Sequence, residues 1–156
     1  MRRLFVISLL LGSVGAACAS TPGPEPQPEP QPAPADEARD CQALLGVIDA
    51  GNVVVSQVAQ NAQLQQQDVL AETAQALEVA ASEVEATALA SEDLLRLGGF
   101  YVGVLRLQAR TSRDLNAAIA AGDEARTAKL QSDFAAVEEQ EAVVLRSIHE
   151  RCGAAR

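Results

Sequence analysis

Beyond residue 35, apolar residues recur at alternating spacings of three and four, the period of a helix with one buried face. Cys41, Leu44, Ile48, Gly51, Val55, Val58 and Ala62 mark the first seam and predict a helix from about Asp36 to Leu64. Asp36 stands at its cap, and Glu37 adds negative charge to the first turn. Gly51-Asn52 weakens the middle and predicts a kink there. Leu70, Ala74, Leu77, Ala81, Val84 and Ala88 predict a second helix over Asp68 to Ala88, with glutamines 65–67 as the turn and Asp68 as the cap. Leu94, Gly98, Tyr101, Leu105, Ala109, Ser112, Leu115 and Ile119 predict a third, capped by Ser91. A rival reading breaks it at Gly98-Gly99, but the periodicity passes through those glycines without slipping. Gly122 ends the third helix and Asp123 caps a fourth, in which Leu130, Phe134, Val137, Glu141, Val144, Ile148 and Cys152 share a face up to Gly153.

Four helices with coiled-coil spacing predict an all-α fold, an antiparallel up-down-up-down four-helix bundle over residues 36–156. No fixed repeat length points to a solenoid. In such a bundle the start of the first helix and the end of the fourth lie at one end. Cys41 and Cys152 sit at those two places, so a disulfide is predicted between them. A three-helix bundle would separate them by a helix length.

The residues before the bundle read differently. All seven prolines lie between Pro22 and Pro34, at every second position. Fixed φ and missing N–H groups disfavour helix and sheet there, which predicts an extended spacer over residues 18–35 with a reach of roughly 50 Å. Ahead of it, Arg2 and Arg3 precede the apolar run Leu4–Leu11, and small residues follow to Ala17. A charged start, a short apolar centre and small residues at the end make a secretory signal over residues 1–17. The run is too short for a membrane-spanning helix, which needs roughly 20 apolar residues.

Gly15-Ala16-Ala17-Cys18 resembles the lipobox of bacterial lipoproteins. The resemblance covers the signal only, and Gly15 departs from the usual Leu. It implies that Cys18 becomes the first residue and carries the lipid, with acyl chains such as palmitate. Ala17-Cys18-Ala19 also fits ordinary signal-peptidase cleavage, with the mature chain starting at Ser20. Either way Cys41 and Cys152 remain as an even pair for an oxidising compartment.

Composition narrows the function. Removing Arg2 and Arg3 leaves 10 basic and 21 acidic side chains. That balance argues against a nucleic-acid partner, which needs a basic stripe. With 3% aromatics and no Trp, the core must be built from Ala, Leu, Val and Ile. His149 and Cys152 share a helix face, but nothing supplies further ligands, so neither a metal nor any other cofactor is expected. No haem attachment motif, phosphate loop or nucleophile elbow occurs, and no enzyme activity is expected.

Two local features carry candidate chemistry. Glu141 falls on the apolar face of the fourth helix, where a carboxylate needs a partner, and Arg106, Arg110 and Arg113 can present guanidinium groups to a neighbouring helix. Gly98-Gly99-Phe100-Tyr101-Val102-Gly103 reads either as close helix packing or as a ligand pocket of Gly98, Gly99, Tyr101 and Gly103, with Tyr101 as its polar handle. The sequence therefore predicts a lipid-anchored envelope protein, periplasmic or surface-facing, on the outer membrane in preference to the inner. It would act through binding or structure, with the membrane and an envelope protein as partners. The alternative is a soluble secreted bundle that binds a small apolar ligand near Gly98–Gly103.

Overall fold

A computed structural model of the chain describes residues 34–60 and 66–154, which form four α-helices and no strand among the described residues. They are α1 (Pro34–Ala59), α2 (Gln66–Ala86), α3 (Glu92–Ala120) and α4 (Glu124–Ala154). The fold is all-α with four helices, as the spacing predicts. The predicted signal, Cys18, nearly all of the proline spacer and Ala62 lie outside the described residues.

Several boundaries are corrected. α1 begins at Pro34, two residues before Asp36. A proline in the first turn gives up only an N–H that has no helical partner there. Asp36 and Glu37 both occupy that turn, so Asp36 does not cap it. α1 ends at Ala59, short of Leu64, where the Gln60 N–H still donates to the Ser56 carbonyl. α2 takes in Gln66 and Gln67, because glutamine is a good helix former, and Asp68 sits inside its first turn. α2 stops at Ala86 instead of Ala88, and α4 runs through Gly153 to Ala154.

The predicted seams supply the core. Leu44 and Ile48 of α1, Leu77, Ala81 and Val84 of α2, Leu94, Tyr101 and Leu105 of α3, and Ile148 of α4 are all buried together. α3 packs against α2 and α4, while α1 packs mainly against α2. Contacts between consecutive helices pair rising numbers with falling ones. Asp40 meets Ala90 and Gly51 faces Ala80; Glu85 pairs with Arg106 and Glu78 with Arg113. Asp93 pairs with Arg151, and Asp114 with Arg126. Such an order is what antiparallel neighbours require.

Gly51 marks a close approach of backbones: a Cβ added there would lie 2.9 Å from the Ala80 Cβ. Its role is to let α2 approach α1. At the other turn, Gly122 has φ +66°, and the Asp123 N–H donates to the Ala118 carbonyl, a glycine-terminated helix end. Asp123 then accepts the Arg126 N–H at 2.9 Å and caps α4. α1 is also long and apolar enough over Asp36–Ala59 to cross a membrane by length and composition, with mean hydropathy 1.3. The same helix places Asp40, Cys41, Leu44 and Ile48 in the buried interior.

Candidate functional site

The two cysteines meet. Cys41 near the start of α1 and Cys152 near the end of α4 have Cα atoms 5.4 Å apart, which is disulfide distance. Beside them the Arg151 guanidinium on α4 reaches Glu37 of α1 at 2.6 Å and Asp93 of α3 at 3.4 Å. His149 is exposed, and no group of three or more potential ligands gathers among the described residues.

Asp40 occupies a position that the sequence reading missed. Its side chain is 1% exposed, and its Oδ2 accepts the backbone N–H groups of Ala90 at 2.6 Å and Ser91 at 2.9 Å. Ser91 stands at the N-cap of α3 in extended conformation, yet its own side chain makes no cap bond. The predicted hydroxyl cap is thus corrected: a carboxylate from α1 serves the start of α3. Burial pushes the Asp40 pKa up, but the Ser91 and Ala90 N–H groups, with Arg39, outweigh it and hold the carboxyl below its ordinary value.

Glu141 finds partners other than the predicted arginines. Its Oε2 accepts from the Gln108 side chain at 2.7 Å, and its Oε1 from the Tyr101 hydroxyl at 3.3 Å. Tyr101 also reaches the Asn52 Oδ1 at 3.4 Å, so the buried phenol of α3 is met by half-buried Glu141 of α4 and exposed Asn52 of α1 at the edge of the core. Burial first, then the Glu141 charge, raises the Tyr101 pKa well above that of free tyrosine. Ser112, also fully buried, has a hydroxyl with no partner among the described residues. Arg106 instead meets Glu85 at 2.6 Å, and Arg113 meets Glu78 at 2.7 Å, both on α2.

The glycine segment divides. Gly98, Gly99 and Gly103 line a cleft of about 340 Å³ between α2 and α3, walled by Val84, Leu89, Leu95 and Val102. Tyr101 does not line it, being 2% exposed and bonded to Asn52 and Glu141. The expected polar handle is therefore corrected: residues three apart from Gly98 on a helix share its buried side, whereas Gly99 and Gly103 look outward. Close packing is not the reason for these glycines either. A Cβ added at Gly99 or Gly103 would meet nothing within 4 Å, and one at Gly98 would make ordinary contact with Leu44 and Val84 at 3.8 Å. A second depression of about 470 Å³ adjoins the cleft and is lined by Glu78, Gly103, Arg106, Leu107, Arg110 and Arg113.

No protein-family model, curated protein or solved structure matches the chain.

Proposed function

We propose that the chain is an exported envelope protein, anchored by lipid at Cys18, whose four-helix domain acts through binding or structure and not through catalysis. The observation that carries export is the pairing of Cys41 with Cys152 at disulfide distance, since such bonds persist in oxidising compartments. The anchor rests on Gly15-Ala16-Ala17-Cys18 after an apolar run and before a proline-rich spacer. The spacer would hold the domain off the membrane, on the outer membrane in preference to the inner, where an envelope protein could reach it. The non-catalytic reading rests on how the half-buried carboxylate Glu141 of α4 is engaged. Glu141 accepts from the Gln108 amide and the Tyr101 phenol, and burial raises the pKa of that phenol, so it stays protonated and a poor nucleophile at neutral pH.

The cleft over Gly98, Gly99 and Gly103 supports the binding role over a purely structural one, because an open concave surface with apolar walls suits a small ligand. The same cleft serves a soluble secreted form, should cleavage fall before Ser20. Detergent-phase partition separates the two. The exported protein should enter the detergent phase, and Cys18→Ala should move it to the aqueous phase. Equal partition of both forms contradicts the anchor.

A further inference from the structure

From Leu94 to Arg113, α3 carries four arginines and no acidic residue, within a chain whose charge is −9. Three of these arginines line the second depression, which borders the glycine cleft, with Gly103 and Arg106 lining both. Together the two adjoining depressions offer two chemically different ends. One is walled by Val84, Leu89, Leu95 and Val102; the other holds Arg106, Arg110 and Arg113. The floor between them is Gly99 and Gly103, where an added Cβ would meet nothing within 4 Å.

Charge at the basic end is not fully used. Arg106 and Arg113 are paired with Glu85 and Glu78, which also line the groove. Arg110 lies between them on the helix and has no ion-pair partner among the described residues. The two pairs are solvent-exposed, so they can rearrange at little cost to admit an incoming anion. Glycines in the middle of a helix are unfavourable relative to alanine, and no packing contact in the domain accounts for Gly99 and Gly103. A ligand lying along the floor would.

We propose that the groove between α2 and α3 binds a single-chain anionic amphiphile, its apolar chain over Gly99 against Leu89, Leu95 and Val102, its anionic head at Arg110 and Arg106. This deepens the binding role proposed above and is independent of the anchor. A neutral apolar ligand would leave the arginines unused, and a small anion alone would leave the apolar wall bare. Fatty carboxylates and lysophospholipid phosphates both meet the requirement.

Calorimetric titration of the exported protein carrying Cys18→Ala, with sodium decanoate below its micellar range, tests the site free of any attached lipid. Saturable one-to-one binding is expected, about tenfold tighter than for 1-decanol, the difference being one charge-assisted contact. Arg110→Gln should bring decanoate to the level of 1-decanol and leave 1-decanol unchanged. Gly99→Leu, placed into open space, should weaken both ligands with helix content intact; Gly103→Leu gives the same reading should the first variant lose helix. A lysophospholipid that binds more tightly than decanoate, with the same loss on Arg110→Gln, identifies the head group as phosphate. No saturable decanoate binding, or binding that Arg110→Gln and the glycine variants leave unchanged, overturns the proposal. The anchor stands or falls separately, on partition of the Cys18 variant.

Discussion

Asp40 and Ser91 lie 51 residues apart in sequence, yet the Asp40 Oδ2 accepts the Ser91 N–H at 2.9 Å and the neighbouring Ala90 N–H at 2.6 Å. The first helix thus finishes the third. A carboxylate facing the free N–H groups and positive dipole end of a helix is favourable, and burial strengthens it. Asp40→Ala leaves both N–H groups without that partner and should lower stability by about 1–3 kcal/mol, roughly 4–12 °C in Tm for a domain of this size. Thermal unfolding followed by circular dichroism measures it. An unchanged Tm would mean that water replaces the carboxylate at no loss.

The same residue sets an acid limit. Its folded pKa lies below the ordinary 3.8, so its contribution is complete above about pH 4 and is lost as pH falls through the folded value. Stability of the native domain should therefore drop more steeply below pH 4 than that of Asp40→Asn. Parallel acid profiles for the two proteins would contradict this.

Tyr101 sets the opposite limit. Its pKa is raised by burial and by Glu141, so its contribution is complete below about pH 10 and is lost as pH rises above that. It is the single tyrosine of the chain, so phenolate absorbance reads it alone. The phenol should stay protonated past pH 10 and ionise only as the domain unfolds. Tyr101→Phe should remove this alkaline loss and cost about 1 kcal/mol at neutral pH from the bond to Glu141. Ionisation near pH 10 in the folded domain would contradict the buried phenol.

The sequence was most legible where one periodicity governs. The spacing puts Leu94, Gly98, Tyr101, Leu105, Ala109, Ser112, Leu115 and Ile119 on one face of α3, and all but half-buried Ile119 are buried. The Gly122-Asp123 turn was equally readable, because a positive φ favours glycine and the next residue is a strong capping type. Asp40 was not readable. It falls next to the Cys41 seam with no apolar signal of its own, and its partners are backbone N–H groups 50 and 51 residues away, at the start of α3. Glu141 was recognised as a carboxylate in need of a partner, but Gln108 and Tyr101 reach it instead of arginine. Helix phase decides that: Arg106 and Arg113 turn toward α2. The glycines at 98, 99 and 103 form one group in sequence, although a helix turns Gly98 inward and the other two outward.

Two glycine substitutions separate packing from propensity. Gly51→Ala puts a methyl group 2.9 Å from the Ala80 Cβ, so α1 and α2 must move apart, at a cost of about 1–3 kcal/mol. Gly99→Ala meets nothing and should stabilise by roughly 0.5–1 kcal/mol through helix propensity alone. Denaturant midpoints of the two variants should move in opposite directions. Movement in the same direction would contradict the close approach at Gly51.

Cys41 and Cys152 close a loop with a sequence separation of 111. Loss of chain entropy in the unfolded state makes such a bond worth roughly 4–5 kcal/mol. The oxidised domain should show no free thiol at either position. Reduction should lower Tm by well over 5 °C while most helix remains, since the seams of all four helices are untouched. Free thiols in the exported protein, or an unchanged Tm on reduction, would contradict the bond.

An anchored, exported domain stands on what happens at Cys18. Intact mass and N-terminal peptide mass of the protein taken from the membranes of its own cells read it in one measurement. A mature chain that begins at Cys18, carries diacylglycerol and acyl chains such as palmitate, and keeps Cys41 joined to Cys152 is the predicted result. A chain that begins at Ser20 without lipid, or one that retains residues 1–17, would contradict it.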